Sequence, residues 1–402
     1  MRVLLSTYGS RGDVEPLVGL AAALRALGAE VRICAPPDEE FTALIESVGA
    51  SPVPAGPTAR ELTAKVKPGS KDAARLISAE LVAMRFGMLE AASDCDALLA
   101  TGLGPAGARE VAERVGIPYV FAAFQPRVLP SPHHAPHPRP GRPFPPGETD
   151  NRVLWEIDAE NVNAMMGGPL NEHRAAMGLP PVDDVRGHIF TDRPWLAADP
   201  ILAPWPQTPG YDVVQTGAWT LPDERPLPDE LEAFLDAGEP PVYVGFGSMP
   251  VHVLKGTAEA AASAVRAQGR RLLVSRGWAD LGLIDTDDHD CFAVGETDHR
   301  ALFGRVAAVV HHGGAGTTTT AARSGAAQVV VPQIADQPYW AERVADLGVG
   351  ATPEGTPTFA SLSAAIETAL APQTRARAEA LAERMRPDGA TVAARLLLDL
   401  AR

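Results

Sequence analysis

Short apolar runs alternate with longer stretches of helical spacing through both halves of the chain. In the first half, four runs predict buried strands, and they lie at 3–7, 30–35, 97–101 and 119–124. Three stretches with the helical period separate them, at 16–27, 73–92 and 107–115. Because strands that alternate with helices form parallel sheets, we expect a doubly wound α/β domain with its ligand crevice at the carboxyl ends of the strands.

The second half shows the same alternation without a visible sequence repeat. Its predicted strands lie at 242–246, 271–275, 291–294, 307–310 and 328–332, and its predicted helices at 255–268, 299–306, 317–322, 361–370, 373–385 and 390–401. Prolines recur around 200–230 with a strand-like run at 212–216 between them, so we place the domain junction near Gly217. The expected domains are 1–216 and 217–385, with a last helix in 386–402 that packs back on the first domain.

A proline-rich segment at 125–150 interrupts the first half. Its prolines exclude a helix or a central strand. So long an insertion is either a functional loop facing a second substrate or a passive disordered one, and the sequence leaves both open. Its His133, His134 and His137 are interpreted as solvated loop histidines and not as metal ligands, because other ligands are lacking nearby.

Composition and charge narrow the class of protein. A chain of 402 residues with 46% hydrophobic and 21% charged residues fits two globular domains, and a net charge of -15 argues against nucleic-acid and anionic-membrane partners. Cys34, Cys95 and Cys291 lie in unrelated segments, which disfavours a zinc site or a disulfide framework. Without a signal peptide or an apolar run near 18 residues, a cytoplasmic protein is expected.

An anion-binding turn is predicted after the apolar run at 307–310. His311 and His312 follow this run, and Gly-Gly-Ala-Gly-Thr at 313–317 then leads into a helix. Such a turn directs backbone N–H groups and the positive end of the helix dipole at one spot, and phosphate is the natural occupant. Paired with this turn, the histidines favour a phosphate role over a purely structural one.

Polar residues follow other predicted strands. Asp336 and Gln337 come after the run at 328–332, either as a helix cap or as a pair that binds sugar hydroxyls. With the anion turn they indicate an enzyme that handles a nucleotide-activated sugar. Gly247 and Ser248 end the strand at 242–246, where small residues either admit a ligand or simply form a turn.

The loop after the first strand contains Ser10, Arg11, Gly12 and Asp13. It lacks the Gly-x-Gly-x-x-Gly spacing, which disfavours a nicotinamide dehydrogenase. Asp13 is either a general base or a first-turn helix carboxylate, and its spacing does not separate these roles.

Together these motifs resemble the GT-B glycosyltransferases of family 1 over essentially the whole chain. The motifs are Gly-Ser-Arg-Gly-Asp at 9–13, Gly-Phe-Gly-Ser at 245–248, His-His-Gly-Gly-Ala-Gly-Thr at 311–317 and Ala-Asp-Gln at 335–337. The segments 221–226, 275–280 and 302–306 more closely resemble the bacterial glycosyltransferases that decorate vancomycin-type glycopeptide antibiotics.

The resemblance implies two Rossmann-like domains facing across a cleft, with the acceptor bound mainly by the first and the nucleotide-sugar by the second. Asp13 matches the general base of an inverting, metal-independent transfer, and the segment 130–146 matches the acceptor-side loop. His312 matches the phosphate-binding histidine. The residues assigned to the donor are Ser10, Arg11, Gly12, Ser248, His312, Gly313, Gly314, Ala315, Gly316, Thr317, Asp336 and Gln337.

The resemblance leaves the substrates partly open. Glu296 stands where plant relatives carry a base-stacking Trp, so dTDP and UDP donors are not separated. The acceptor is a glycopeptide aglycone or its monoglycoside. A nucleotide-sugar 2-epimerase of the same fold is disfavoured by the proline-rich loop, and a noncatalytic helper protein by the intact His312, Asp336 and Gln337.

Overall fold

The computed structural model describes residues 1–59, 61, 71–139, 141–223, 225–247, 251–275 and 290–402 of the protein, and in 71–74 and 251–255 only the backbone. The chain forms two compact units. The first contains Met1–Leu221 and Arg386–Arg402, and the second contains Pro222–Met385. We expected a junction near Gly217 and a return of the last segment to the first domain.

The first unit is built on a parallel sheet. Its strands among the described residues are β1 (Arg2–Ser6), β2 (Glu30–Ala35), β3 (Ser51–Pro54), β4 (Ala97–Ala100), β5 (Tyr119–Ala123), β6 (Trp195–Leu196) and β7 (Val214–Gln215). They follow the order β3-β2-β1-β4-β5-β6-β7, with β1 pairing in parallel to both β2 and β4. Leu4 and Leu5 are completely buried, as expected for an inner strand covered on both faces.

Helices cover this sheet, and the order of elements confirms the predicted doubly wound architecture. The described helices are α1 (Arg11–Ala26), α2 (Glu39–Ser47), α3 (Lys71–Phe86), α4 (Leu89–Ala92), α5 (Ala108–Val115), α6 (Asn151–Val162), α7 (Gly168–Ala176) and α8 (Val185–Phe190), with a 3-10 turn at Pro126–Val128 and a π-turn at Asn163–Gly167.

The second unit repeats the architecture. Its described strands are β8 (Val242–Gly245), β9 (Leu272–Ser275), β10 (Cys291–Val294), β11 (Ala308–His311), β12 (Gln328–Val330) and β13 (Gly350–Ala351), all parallel in the order β10-β9-β8-β11-β12-β13. Its described helices are α9 (Asp229–Asp236), α10 (Val251–Ala267), α11 (His299–Phe303), α12 (Ala315–Arg323), α13 (Gln337–Asp346), α14 (Phe359–Leu370) and α15 (Pro372–Ala382).

Two apolar cores lie on opposite faces of the second sheet. Val244 and Val310 belong to the core that contains helices α10 and α14, whereas Tyr243 and Val309 belong to the core that contains α9 and α11. Successive side chains of a strand point to opposite faces. The continuous apolar runs of the sequence therefore supply both cores at once.

The last helix, α16 (Gly389–Leu400), packs against α1 within the first unit. A Cβ on Gly389 would lie 2.4 Å from the carbonyl oxygen of Ala218, so the close approach requires glycine. The backbone N–H of Arg386 donates to the carboxylate of Asp199 at 3.0 Å and fixes the start of this segment.

No helix in the described part of the chain is long and apolar enough to cross a membrane.

Candidate functional site

The two adjacent histidines have different surroundings. His311 ends β11 and is completely buried. Its Nδ1 accepts the backbone N–H of Gly313 at 3.1 Å, so Nε2 carries the proton and donates to Oε1 of Gln328 at 2.9 Å. Burial lowers the pKa of His311 to about 3, which keeps the ring neutral. His311 therefore holds the turn in shape and is not a ligand contact.

His312 lies between two glycines. A Cβ on Gly247 would lie 3.0 Å from its Cε1, and a Cβ on Gly314 would lie 2.6 Å from its Nε2. Burial lowers the pKa of His312 to about 4, so the ring is neutral at pH 7. Among the described residues, its buried Nδ1 has no hydrogen-bond partner. A neutral imidazole in this setting can donate one N–H to an anionic oxygen.

The turn after His312 presents a helix N-terminus. Gly313 has a φ of 90°, and a Cβ there would approach Cγ1 of Val330 to 2.7 Å, so both backbone and space require glycine. Gly314 is the N-cap of α12 and offers no capping side chain. The first backbone N–H groups of a helix lack intrahelical acceptors, so those of Ala315, Gly316 and Thr317 lie at the positive end of the α12 dipole. This arrangement fits a phosphate group.

Asp336 caps α13 and is already engaged by one side chain. Its Oδ2 accepts the indole N–H of Trp340 at 2.7 Å, and burial raises the pKa of this carboxyl. The preceding Ala335 has a φ of 55°, a left-handed conformation that is uncommon outside glycine. A carboxylate has acceptor capacity beyond one bond, so a sugar hydroxyl remains compatible with Asp336.

Gln337 stabilises the loop that carries Asp336. Its side chain is buried, and Oε1 accepts the backbone N–H groups of Gln333 at 2.7 Å and Ile334 at 3.0 Å. The carbonyl end of the predicted sugar-binding side chain is thus committed to the backbone. Contact with a donor sugar would have to use its amide N–H groups.

Asp13 occupies the third position of α1 and forms a capping box with Ser10. Its Oδ2 accepts the backbone N–H of Ser10 at 2.8 Å. A Cβ on Gly9 would lie 2.1 Å from the same oxygen, and Gly9 has a φ of 151°. The helix-cap interpretation is thus confirmed. A half-buried carboxylate is also of the chemical type that acts as a general base.

The neighbours of Asp13 are less enclosed. Arg11 pairs with Glu15 at 2.8 Å, both side chains being about 40% exposed (39% and 42%), and Ser10 and Gly12 are exposed. Arg11 is therefore engaged by a carboxylate of its own helix. Exposed pairs of this kind contribute little to stability.

Several predicted features lie outside the described residues. They are Ser248, the segment 276–280 of the Ser-Arg-Gly-Trp-Ala-Asp motif, Glu224 and Pro140. On the described side of the β8 loop, Gly247 has a φ of 58°, as glycine permits at a tight turn.

The proline-rich segment is held by side chains of the first unit. A ring nitrogen of His134 lies 3.0 Å from the carbonyl oxygen of Leu129, and its own carbonyl accepts the indole N–H of Trp155 at 2.9 Å. Farther along, Arg139 forms two hydrogen bonds, of 2.7 and 3.2 Å, to the buried carboxylate of Asp158. These contacts give the segment a defined path over α6.

His134 and His137 are half-buried, which departs from the prediction that all three histidines of this segment are solvated. His133 is exposed, but burial lowers the pKa of His134 and lowers that of His137 to about 4. Trp155 and Trp205 pack around His134 and account for its burial. In the described part of the chain, no group of three His, Cys, Asp or Glu side chains is placed to hold a metal ion.

Sequence reasoning missed two buried polar side chains beside the Asp13 loop. Tyr8 is completely buried, and its hydroxyl donates to the carbonyl of Pro57 at 2.7 Å. Arg85 is also buried and shares the inner face of α3 with Leu81 and Val82. Arg85 follows Leu81 by four residues and Val82 by three. This helical spacing places the arginine on the face of α3 that is turned to the core, and it could have been recognised in the sequence.

Comparison with known proteins places these motifs in a family. A model of the "Erythromycin biosynthesis protein CIII-like, C-terminal domain" family matches residues 294–397. Over 99% of this chain and 97% of theirs, "Glycosyltransferase GtfE" and "Vancomycin aglycone glucosyltransferase", both from Amycolatopsis orientalis, are 56% and 54% identical. "dTDP-epi-vancosaminyltransferase" of the same organism is 47% identical over 94% of this chain and 92% of its own.

Solved structures agree on the fold. CalG4, the calicheamicin glycosyltransferase, superposes with a TM-score of 0.73 at 18% identity, over 99% of this chain and 98% of its own. The glycosyltransferase VinC, in complex with dTDP, gives 0.70 at 21% identity over 100% and 99%. The two parallel α/β units are those of the GT-B fold, and the chain belongs to the glycosyltransferases of the vancomycin glycopeptide group.

Proposed function

We propose that this glycosyltransferase moves a sugar from a dTDP- or UDP-linked donor to a hydroxyl of a glycopeptide antibiotic aglycone or monoglycoside. The observation that carries the proposal is the position of His312, a neutral ring between Gly247 and Gly314 at the N-terminus of α12. A donor diphosphate would find the helix dipole and an imidazole N–H at one place. In a chain with a net charge of -15, such local groups must offset the overall repulsion.

Leaving-group stabilisation is the role we propose for this turn. As the bond between C1 of the sugar and the diphosphate breaks, negative charge grows on the departing oxygen. His312 and the N–H groups of 315–317 stabilise that charge, which is the task of a metal ion in other transferases. We therefore propose that the reaction needs no metal and no cofactor besides the nucleotide-sugar.

Asp13 is the proposed general base. It would take the proton from the acceptor hydroxyl as that oxygen attacks C1 on the side opposite the leaving diphosphate, so one displacement inverts the anomeric centre. Base assistance of this kind typically contributes about 10²- to 10⁴-fold in rate. The hydrogen bond from the Ser10 N–H to Oδ2 orients the Asp13 carboxylate for this role.

Ser10, Arg11, Gly12, Ser248, Asp336 and Gln337 remain proposed donor contacts. The Trp340 indole orients Asp336, and Gln337 holds the loop on which Asp336 lies. We assign the sugar hydroxyls to these two side chains because carboxylate and amide groups are suited to paired hydroxyls.

The names of the relatives support the proposed acceptor class. The relative that is 54% identical is named for glucosyl transfer to the vancomycin aglycone. The relative that is 47% identical is named as a dTDP-epi-vancosaminyltransferase. We propose a glycopeptide scaffold as acceptor, with neither nucleic acid nor membrane as a partner, and a cytoplasmic location. The strong negative charge supports both exclusions.

A matrix of donors against acceptors, with products detected by mass spectrometry, tests the proposal. UDP- and dTDP-hexoses are each offered with an aglycone and its monoglycoside. The expected result is a mass increase of one sugar for at least one pair. Donor consumption with no glycopeptide product from any pair would contradict the acceptor class, and release of a 2-epimer in its place would favour the epimerase alternative.

A further inference from the structure

Arg85 is a buried cation near the carboxyl ends of β1 and β4. Its side chain is 1% exposed, and its guanidinium donates to the carbonyl groups of Thr101 at 3.1 Å, Leu103 at 3.0 Å and Gly104 at 3.3 Å. A further N–H donates to the hydroxyl of Ser6. Within the described residues, no carboxylate pairs with Arg85. The acceptors that the described part of the chain offers to its guanidinium are all neutral oxygens.

A buried charge without a countercharge is costly for a fold. An aliphatic residue at this position would continue the apolar face that Leu81 and Val82 form on α3. Burial lowers the pKa of Arg85, and the negative charge of Asp13 is among the groups that act in the opposite direction. Unlike an aliphatic residue, Arg85 can hydrogen-bond several loop oxygens at once through its planar guanidinium.

The carbonyl groups that Arg85 binds lie in the segment 101–104, which supports the loop 8–13 that carries Asp13. The N–H of Thr101 donates to the carbonyl of Ser6 at 2.9 Å, and the N–H of Leu103 donates to the carbonyl of Tyr8 at 2.8 Å. A Cβ on Gly102 would lie 2.6 Å from that Tyr8 oxygen, so the segment 101–104 packs directly on the end of β1. The chain then passes through Gly9 to the capping box that fixes Asp13.

We propose that Arg85 is a positioning residue for the acceptor-activating carboxylate, holding the segment 101–104 against Ser6 and Tyr8 so that Asp13 keeps its place. This inference rests on the general-base role proposed for Asp13. Arg85 acts through the backbone and touches no substrate. A small displacement of a reacting group reduces rate on the order of 10- to 100-fold.

The test uses Arg85→Lys in the full-length protein, which keeps the charge but loses the planar set of donors. We expect kcat for transfer to fall at least about 10-fold. The Kd for UDP or dTDP should rise by a smaller factor, because His312 and the N–H groups of 315–317 belong to the other unit and only the proposed contacts of Ser10, Arg11 and Gly12 lie in the loosened loop. Hydrogen exchange should accelerate in 8–13 and 101–104 and stay unchanged in 311–317. Arg174→Lys is the matched control, because Arg174 is 4% exposed in the same unit but bonds to Pro180, Glu110 and Glu113.

A double-mutant cycle separates positioning from general stabilisation. If Arg85 acts through Asp13, adding Arg85→Lys to Asp13→Ala should reduce kcat by less than about twofold further. Multiplicative losses in the double variant would overturn the inference, as would an unchanged exchange pattern in Arg85→Lys. If Arg85→Lys does not fold, Ser6→Ala removes one guanidinium contact, and it should show the same loss of kcat to a smaller degree; unchanged kcat and exchange there would also overturn the inference.

Failure of the proposed function gives a different result. A wild-type protein that binds a nucleotide diphosphate but transfers no sugar to any glycopeptide contradicts the proposed function. The exchange experiment still decides whether Arg85 holds the Asp13 loop, since it requires no turnover.

Discussion

Gly314 stands against His312 so closely that a Cβ on the glycine would lie 2.6 Å from Nε2 of the imidazole. Gly314 itself has a φ of -64° and a ψ of 143°, values that any residue adopts. Position 314 therefore needs glycine because a side chain would clash with the His312 ring, and not because of the backbone conformation. Its lack of a side chain is what allows His312 to lie at the N-terminus of α12.

Gly314→Ala should weaken nucleotide diphosphate binding by displacing the His312 ring. We expect the Kd for UDP or dTDP to rise about 10-fold by calorimetry, which corresponds to one lost charge-assisted hydrogen bond. Gly256→Ala serves as the control, because Gly256 lies in α10 with no atom within 4 Å of an added Cβ. Equal Kd values for the two variants would contradict the assigned contact.

Alanine substitutions should distinguish the ligand-binding role of His312 from the structural role of His311. His312→Ala is expected to raise the Kd for the nucleotide diphosphate by about 10- to 100-fold with a modest effect on stability. His311→Ala leaves Gln328 and the Gly313 N–H buried without that partner, so we expect a loss of about 1–3 kcal/mol in the free energy of unfolding. Calorimetry and denaturant titration measure the two effects, and the opposite pattern would exchange the roles.

Two substitutions of Asp13 should distinguish its helix-capping role from its proposed role as general base. Asp13→Asn keeps an oxygen for the Ser10 N–H, whereas Asp13→Ala removes it and should lower the free energy of unfolding by about 1 kcal/mol. Both variants should lose about 10²- to 10⁴-fold in kcat and retain nucleotide diphosphate affinity. Turnover of Asp13→Asn equal to wild type under saturating substrates would remove Asp13 from the base role.

Stability should fall as the pH drops from about 6.5 towards 4. Burial holds the pKa of His137 at about 4, below the usual value near 6.5, so in this range the unfolded chain binds a proton that the folded chain refuses. The stabilising contribution is thus complete above pH 6.5 and is lost on acidification. Denaturant titrations at pH 7, 6 and 5 should show a smaller decline for His137→Asn than for wild type. Parallel declines would mean that His137 titrates normally in the folded state.

Much of the fold could be predicted because strands buried on both faces leave continuous apolar runs. β1, β2, β8 and β10 lie within a residue or two of their predicted positions. β3 was missed since its Ser-Pro-Val-Pro sequence contains two prolines, which this strand tolerates at the edge of the sheet. β6 and β13 have two residues each, too few for a periodic pattern.

The site was predictable in its motifs but not in its internal bonds. The sequence identified the glycine turn and Asp13, since glycines and polar residues at strand ends are local signals. It did not separate His311 from His312 by burial, nor show that Gln337 binds the backbone of its own loop. Those contacts depend on Gln328 and Gln333, and which side chains meet across a sheet or loop is set by tertiary packing.

The anomeric configuration of the glycopeptide product distinguishes a single metal-free displacement from the other transfer mechanisms. Wild-type protein is incubated with an α-linked UDP- or dTDP-hexose and a glycopeptide aglycone in the presence of EDTA, and the new linkage is assigned from the coupling constant of its anomeric proton by NMR. A single displacement assisted by Asp13, with the leaving diphosphate stabilised by His312, predicts a β-linked product and full activity in EDTA. An α-linked product, or a reaction that stops in EDTA and resumes on adding Mg²⁺ or Mn²⁺, would contradict it.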